Sequence, residues 1–163
     1  MRTLTILLIL VLTAPAFAAG PPPYQPGDIL ATRNATEAEN SSPGHWNHLA
    51  VYVGNGQVVE AQRGPGVIVS GFSEFIARYP EILVLRLRSG KGQAIADEVW
   101  RHVGTPYAPL ASVPRFLRRT ERGNNCVSVA RRGATAGIGR DPRWRKPDDA
   151  VADRKIAILF GKG

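Results

Sequence analysis

The chain has 163 residues, 44% hydrophobic and 21% charged, with 17 Gly and 13 Pro. That is one domain's length with enough apolar side chain to bury a core, which excludes wholesale disorder and a multi-domain reading. The formal charge of +8 sits in the C-terminal third, where residues 113–163 hold 13 basic and 5 acidic side chains against 7 and 8 in residues 19–112.

In chain order, Met1-Arg2, an apolar run from Leu4 to Leu12 and the ending Ala16-Phe17-Ala18 read as a secretory signal peptide over residues 1–18. The run is shorter than the roughly 20 apolar residues of a membrane span. The expected product is therefore a single domain over residues 19–163, secreted or periplasmic, or tethered if cleavage fails. Export makes the cysteine count informative, because an exported disulfide framework uses several cysteines and this chain has only Cys126. An inert, buried small hydrophobe is the plain alternative for that residue.

Gly20 to Pro23 is a stiff leader, Gly27 to Arg33 a short strand, and Asn34 to Trp46 a polar loop. Residues 48–61 place β-branched residues on both sides of Gly54-Asn55-Gly56, the best hairpin signal in the chain. A three-residue loop with Gly56 left-handed pairs Val53 with Gln57 and Ala50 with Glu60, which puts His48 and Glu60 on one face as diagonal neighbours about 7 to 8 Å apart. A two-residue Asn55-Gly56 loop puts them on opposite faces, because a one-residue slip inverts a strand. Strands follow at Val67 to Ser70 and Ile82 to Arg88, with a short helix at Ser73 to Arg78 between them. Lys91 to Val103 reads as a helix with Ile95, Val99 and His102 or Val103 on one stripe and Gly104 ending it. Pro106-Tyr107 opens a long connection. Asn124 or Asn125 caps a second helix whose first turn holds Cys126, and Lys155 to Phe160 closes the sheet.

A thiol at a helix N-terminus faces unpaired backbone N–H groups and the positive end of the dipole, both of which favour thiolate. The same groups can hold the oxygen that becomes negative when sulfur attacks a carbonyl. An imidazole must take and return the proton, and a third polar group must orient the imidazole. His48 and Glu60 are the candidates for those two roles.

Pro26-Gly27-Asp28-Ile29-Leu30, the stretch from His48 to Ala61, Gly104-Thr105-Pro106-Tyr107 and Asn125-Cys126 opening a helix together resemble the circularly permuted branch of the NlpC-type papain-like superfamily. That branch includes YiiX-like amidases and lecithin:retinol acyltransferase-like proteins. The resemblance spans about residues 26 to 137. It implies an α+β fold, an antiparallel sheet packed against helices that include the nucleophile helix. It also implies Cys126 as nucleophile, His48 as general base, Glu60 at the third polar position and Tyr107 as a hydrogen-bonding residue of the cleft. Val127-Ser128-Val129 after the cysteine departs from the acidic residue often found there, so the subgroup and the acyl donor stay open.

The expectation is a cysteine hydrolase cleaving an amide or ester through a thioester, with no cofactor required. A lipid acyltransferase or phospholipase and a non-catalytic basic binding module are the alternatives. The basic third favours an anionic envelope substrate, such as a peptidoglycan stem peptide, an N-acyl amino acid or a lipid, with peripheral contact to a membrane surface. Nucleic acid is not expected, since neither interleaved aromatics nor a known module accompanies the charges. His45 and His48 form an H-x-x-H pair at a loop-to-strand junction without a clear third ligand, so no metal is assigned. His102 reads as a helix-end residue, Asp28 as structural, and Trp46, Trp100 and Trp144 as core or rim.

Overall fold

In the computed structural model the described residues are 23–33, 44–107 and 124–162. The leader, the signal segment, most of the polar loop and the connection after Tyr107 lie outside them.

Short β-branched segments pair antiparallel into a six-stranded sheet of order β4-β3-β2-β1-β5-β6 among the described residues. The strands are β1 Ile29–Arg33, β2 His48–Gly54, β3 Gln57–Gln62, β4 Gly66–Gly71, β5 Glu81–Leu87 and β6 Ile156–Lys162. Successive side chains point to opposite faces, and both faces are covered. On one, Ile29, Ala31, Leu49, Val51, Val59 and Leu85 pack against the helices α2 Gly92–Trp100 and α3 Cys126–Ile138. On the other, Leu30, Ala50, Val58 and Val84 pack against Phe75 and Tyr79, which belong to or follow α1 Phe72–Arg78. This is the expected α+β layering, with the cysteine helix lying on the sheet. No described helix is long and apolar enough to cross a membrane.

The β2–β3 hairpin corrects the expected turn and keeps the expected register. Asn55 (φ 51°) and Gly56 (φ 68°) are both left-handed, which makes a two-residue turn, and Gly54 rather than Val53 stands opposite Gln57. Between Tyr52 and Gly54 the register shifts by one residue, a β-bulge, so Ala50 still pairs with Glu60. The bulge absorbs the residue that the shorter turn would have cost, and His48 and Glu60 keep a common face.

Helix α3 begins where Asn125, in extended conformation, accepts the N–H of Ser128 at 2.8 Å while the Ser128 hydroxyl accepts the N–H of Asn125 at 2.8 Å. This reciprocal cap places Cys126 at the first helical position. Gly133 and Gly137 let α3 approach α2 closely, for a Cβ at Gly133 would stand 2.7 Å from Val99 Cγ1 and 2.8 Å from Ile95 Cγ2. Helix α2 stops at Trp100 rather than Val103. The turn that follows gives its backbone to the sheet edge, with Gly104 N–H bonded to Val67 O at 2.8 Å and Val67 N–H to Thr105 O at 2.9 Å. A further short helix, α4 Pro147–Val151, was not expected; Pro147 in its first turn and Asp149 accepting the N–H of Lys146 at 3.1 Å form its start. The last strand starts at Ile156 and runs on to Lys162, two residues past the expected Phe160.

Candidate active site

Three elements converge on one point. Strands β2 and β3 pair only as far as Ala50↔Glu60, although β2 continues back through Leu49 to His48 and β3 onward through Ala61 to Gln62. Their divergence leaves the N–H of Leu49 free of the ladder, and the sulfur of Cys126 takes that position, hydrogen-bonded by the N–H groups of Leu49 and Val127. The His48 imidazole contacts the same sulfur and binds Glu60 Oε2 through Nε2 at 3.1 Å. With Nε2 committed to the carboxylate, Nδ1 is the ring atom turned to the sulfur. Cys126, His48 and Glu60, separated in sequence, are thus brought together. His48 and Glu60 are buried and Cys126 is half-buried.

The surroundings of Glu60 contain two residues that sequence reasoning missed. Its Oε1 accepts the Ser70 hydroxyl at 2.5 Å and a guanidinium N–H of Arg78. Ser70 was readable in principle, since β3–β4 pairing of Val58 with Ser70 and Glu60 with Ile68 makes it diagonal to Glu60 on the same face. Arg78 carries no local signal, because its contact depends on α1 folding back over the sheet. The Tyr79 ring lies 5.7 Å from the His48 ring at 13° between planes and bounds it on the α1 side.

Electrostatics follow from these contacts. Burial favours neutral imidazole, yet the hydrogen bonds and charges of Cys126 and Glu60 outweigh it and raise the His48 pKa from 6.5 to about 10. Burial would likewise raise Glu60, but His48, Ser70 and Arg78 bring it down from 4.5 to about 2. At Cys126 burial pushes the thiol up, and the His48 bond and charge with the two N–H groups reverse that, leaving it below its ordinary value. The directions agree on a thiolate–imidazolium pair, whose two titrations are coupled. Such a pair holds a nucleophile and a proton donor in contact, the requirement for acyl transfer.

Tyr107 pairs by a β-bridge with Asn124, which places its backbone two residues from the cysteine helix. The Asn124 side chain donates to Thr105 Oγ1 at 2.6 Å and accepts from Arg132, tying this loop to α3. His45 points elsewhere, bonding Glu81 Oε2 at 3.0 Å and Arg33 Nη1 at 2.9 Å. His102 bonds Glu98 Oε1 at 3.2 Å just past the end of α2. Asp28 grips Arg86 through both oxygens at 2.7 Å, a structural pair. Trp144 is core, its indole N–H bonded to Asp153, and Trp100 is exposed.

The model of a family described as permuted papain-like amidase enzyme, YaeF/YiiX, C92 family, matches residues 23–110. That span contains His48, Glu60 and Tyr107 and ends before Cys126. Among solved structures, the crystal structure of metalloprotein YiiX from Escherichia coli O157:H7 superimposes with a TM-score of 0.62 at 14% identity, covering 83% of this chain and 96% of that one. The likeness is one of fold. A search of curated proteins found no match.

Proposed function

This chain belongs to the permuted papain-like amidase family, and from that membership we propose that it is an exported cysteine hydrolase cleaving an amide bond, or an ester, through a covalent thioester on Cys126. One observation carries the reading: a buried imidazole in contact with both the sulfur and a carboxylate. The Cys126 thiolate attacks the carbonyl carbon, and the backbone N–H of Cys126 helps hold the resulting oxyanion. His48 gives its proton to the leaving nitrogen or oxygen as that bond to carbon breaks, and the acyl group remains on sulfur. The neutral imidazole then takes a proton from water, whose oxygen attacks the thioester. Expulsion of thiolate releases the acid and restores the ion pair. Glu60 keeps the ring in place through Nε2. Tyr107 would offer its hydroxyl at the rim of the cleft.

The structural relative is described as a metalloprotein, but among the described residues of this chain no group of three or more His, Cys, Asp and Glu side chains converges to hold a metal.

The basic third supports an anionic envelope substrate, a wall peptide, an N-acyl amino acid or a lipid. Arg140, Arg143 and Lys155 line an open groove with Asp141 and Pro142 at the far end of α3, about 20 Å from the sulfur by the helical rise. A charged portion of an extended substrate would sit there. Replacing Arg143 and Lys155 together by Glu should then raise KM with little change in kcat.

The deciding experiment exposes the protein to a panel of wall peptides and lipids and reads the mass of Cys126. An acyl adduct that water discharges supports the hydrolase, with Cys126→Ser folded and inactive. An adduct passed to an amine or lipid instead makes the protein an acyltransferase. A thiol inert to iodoacetamide in the folded protein leaves a binding module.

A further inference from the structure

The Glu60 carboxylate is fully buried and has three partners on three elements: His48 on β2, Ser70 on β4 and Arg78 on α1. Ionised, it shares one imidazolium with the Cys126 thiolate, so the sulfur, the imidazole and the carboxylate together carry one unbalanced negative charge. Burying such a charge is costly unless a cation completes it. Ser70 supplies a hydrogen bond without charge. Arg78 is the cation, and it approaches from the sheet face opposite α3.

Its placement is built. The guanidinium carbon lies 5.6 Å from the centre of the Phe75 ring and 5.7 Å from that of Tyr79, and Tyr79 in turn stacks on His48. Phe75 and Arg78 lie one turn apart on α1, and Tyr79 follows as its extended C-terminal cap, so one short segment carries the ring that stacks on the imidazole and the charge behind the carboxylate. Sulfur, imidazole, carboxylate and guanidinium then alternate in sign through successive contacts that lead from α3 to α1 where β2 and β3 part.

We propose that Arg78 is a positioning residue of this site, holding Glu60 ionised so that Glu60 can in turn hold His48 as an imidazolium beside the sulfur. The proposal rests on the thiol–imidazole reading above and adds the dependence of that pair on α1. The groups facing Glu60 are His48, Ser70 and Arg78, with Cys126 beyond His48 and Tyr79 beside it. Of these, Arg78 alone supplies a charge that is independent of the thiol.

The test follows the Glu60 carboxyl resonance by carbon NMR through an acid titration of the wild type, Arg78→Gln and Arg78→Lys. With the charge removed, the Glu60 midpoint should rise by about one to three pH units. The lysine variant, which keeps the charge on a different reach, should show less than half that rise. A midpoint unmoved in folded Arg78→Gln overturns the proposal, as does a lysine variant shifted as far as the glutamine one. Should Arg78→Gln fail to fold, Arg78→Met, which keeps the apolar stem without the charge, decides: a Glu60 midpoint above the wild-type value supports the proposal, and an unchanged one overturns it. Iodoacetamide gives the separate readout, for an inert Cys126 in the wild type sinks the hydrolase reading while the Glu60 titration still reports on Arg78.

Discussion

The ion pair makes a prediction about stability that does not require a substrate. Between pH 6.5 and 9 an unfolded chain has released the His48 proton and kept the Cys126 proton, since the ordinary values are 6.5 and 9.0. The folded protein does the reverse once its thiol has ionised, with His48 keeping its proton to about 10. Each state then holds one proton across the pair, so the pair contributes no slope of stability against pH in that window. Cys126→Ser removes this balance. Its unfolded chain holds no proton at the two positions above pH 6.5, while the folded variant still holds one on His48 for as far up as Glu60 sustains it. A raised pKa gives stability that is complete below the unfolded value and lost as pH rises toward the folded one. The variant should therefore lose up to about 1.4 kcal/mol per pH unit relative to wild type, from pH 6.5 to the His48 midpoint that Glu60 alone sustains. Urea unfolding of both proteins across the window measures the difference directly, and subtracting one curve from the other removes every other titrating group. Parallel curves would mean that Glu60 does not hold the proton on His48 once the sulfur is gone, and the orienting role given to that carboxylate would fall with them.

Glu60→Gln keeps an acceptor for His48 but removes its charge. The imidazole midpoint followed by NMR should fall from about 10 by about one to three pH units, and the alkaline limb of the turnover profile should move with it; an unshifted limb would deny Glu60 its role. Asn125→Ala removes the side chain that caps α3 and should lower the unfolding free energy in urea by about 1 kcal/mol. Gly133→Ala drives a methyl group against Val99 and Ile95 and should cost about 1 to 3 kcal/mol, seen as a lower thermal midpoint.

What could be read from the sequence follows from the range over which each signal acts. Strand alternation, the Gly-Asn-Gly turn and the Asn-Cys helix start are local, and they located the strands, a cap at Asn124 or Asn125, of which the fold uses Asn125, and Cys126 in the first turn. Face-sharing by His48 and Glu60 was also within reach, because it depends on a register that only two arrangements of one hairpin could give. The turn itself is not legible at that range. Turn length and register look like one choice in the sequence, whereas the bulge between Tyr52 and Gly54 separates them, combining the shorter turn with the pairing of the longer one. Helix α4 was missed because five residues are too few for periodicity to register.

Arg78 lay beyond reach for a different reason. Its partner is 18 positions away on another element, and an arginine ending a short amphipathic helix looks the same whether it meets solvent or a buried carboxylate. Glu60 itself held the clue, for it shares its sheet face with Val58, two positions back in an apolar strand, and a face that is core there buries the carboxylate too. A buried anion already shared with an imidazole that serves a thiolate requires a second cation. Charge balance demands the partner, though only the fold shows that α1 provides it.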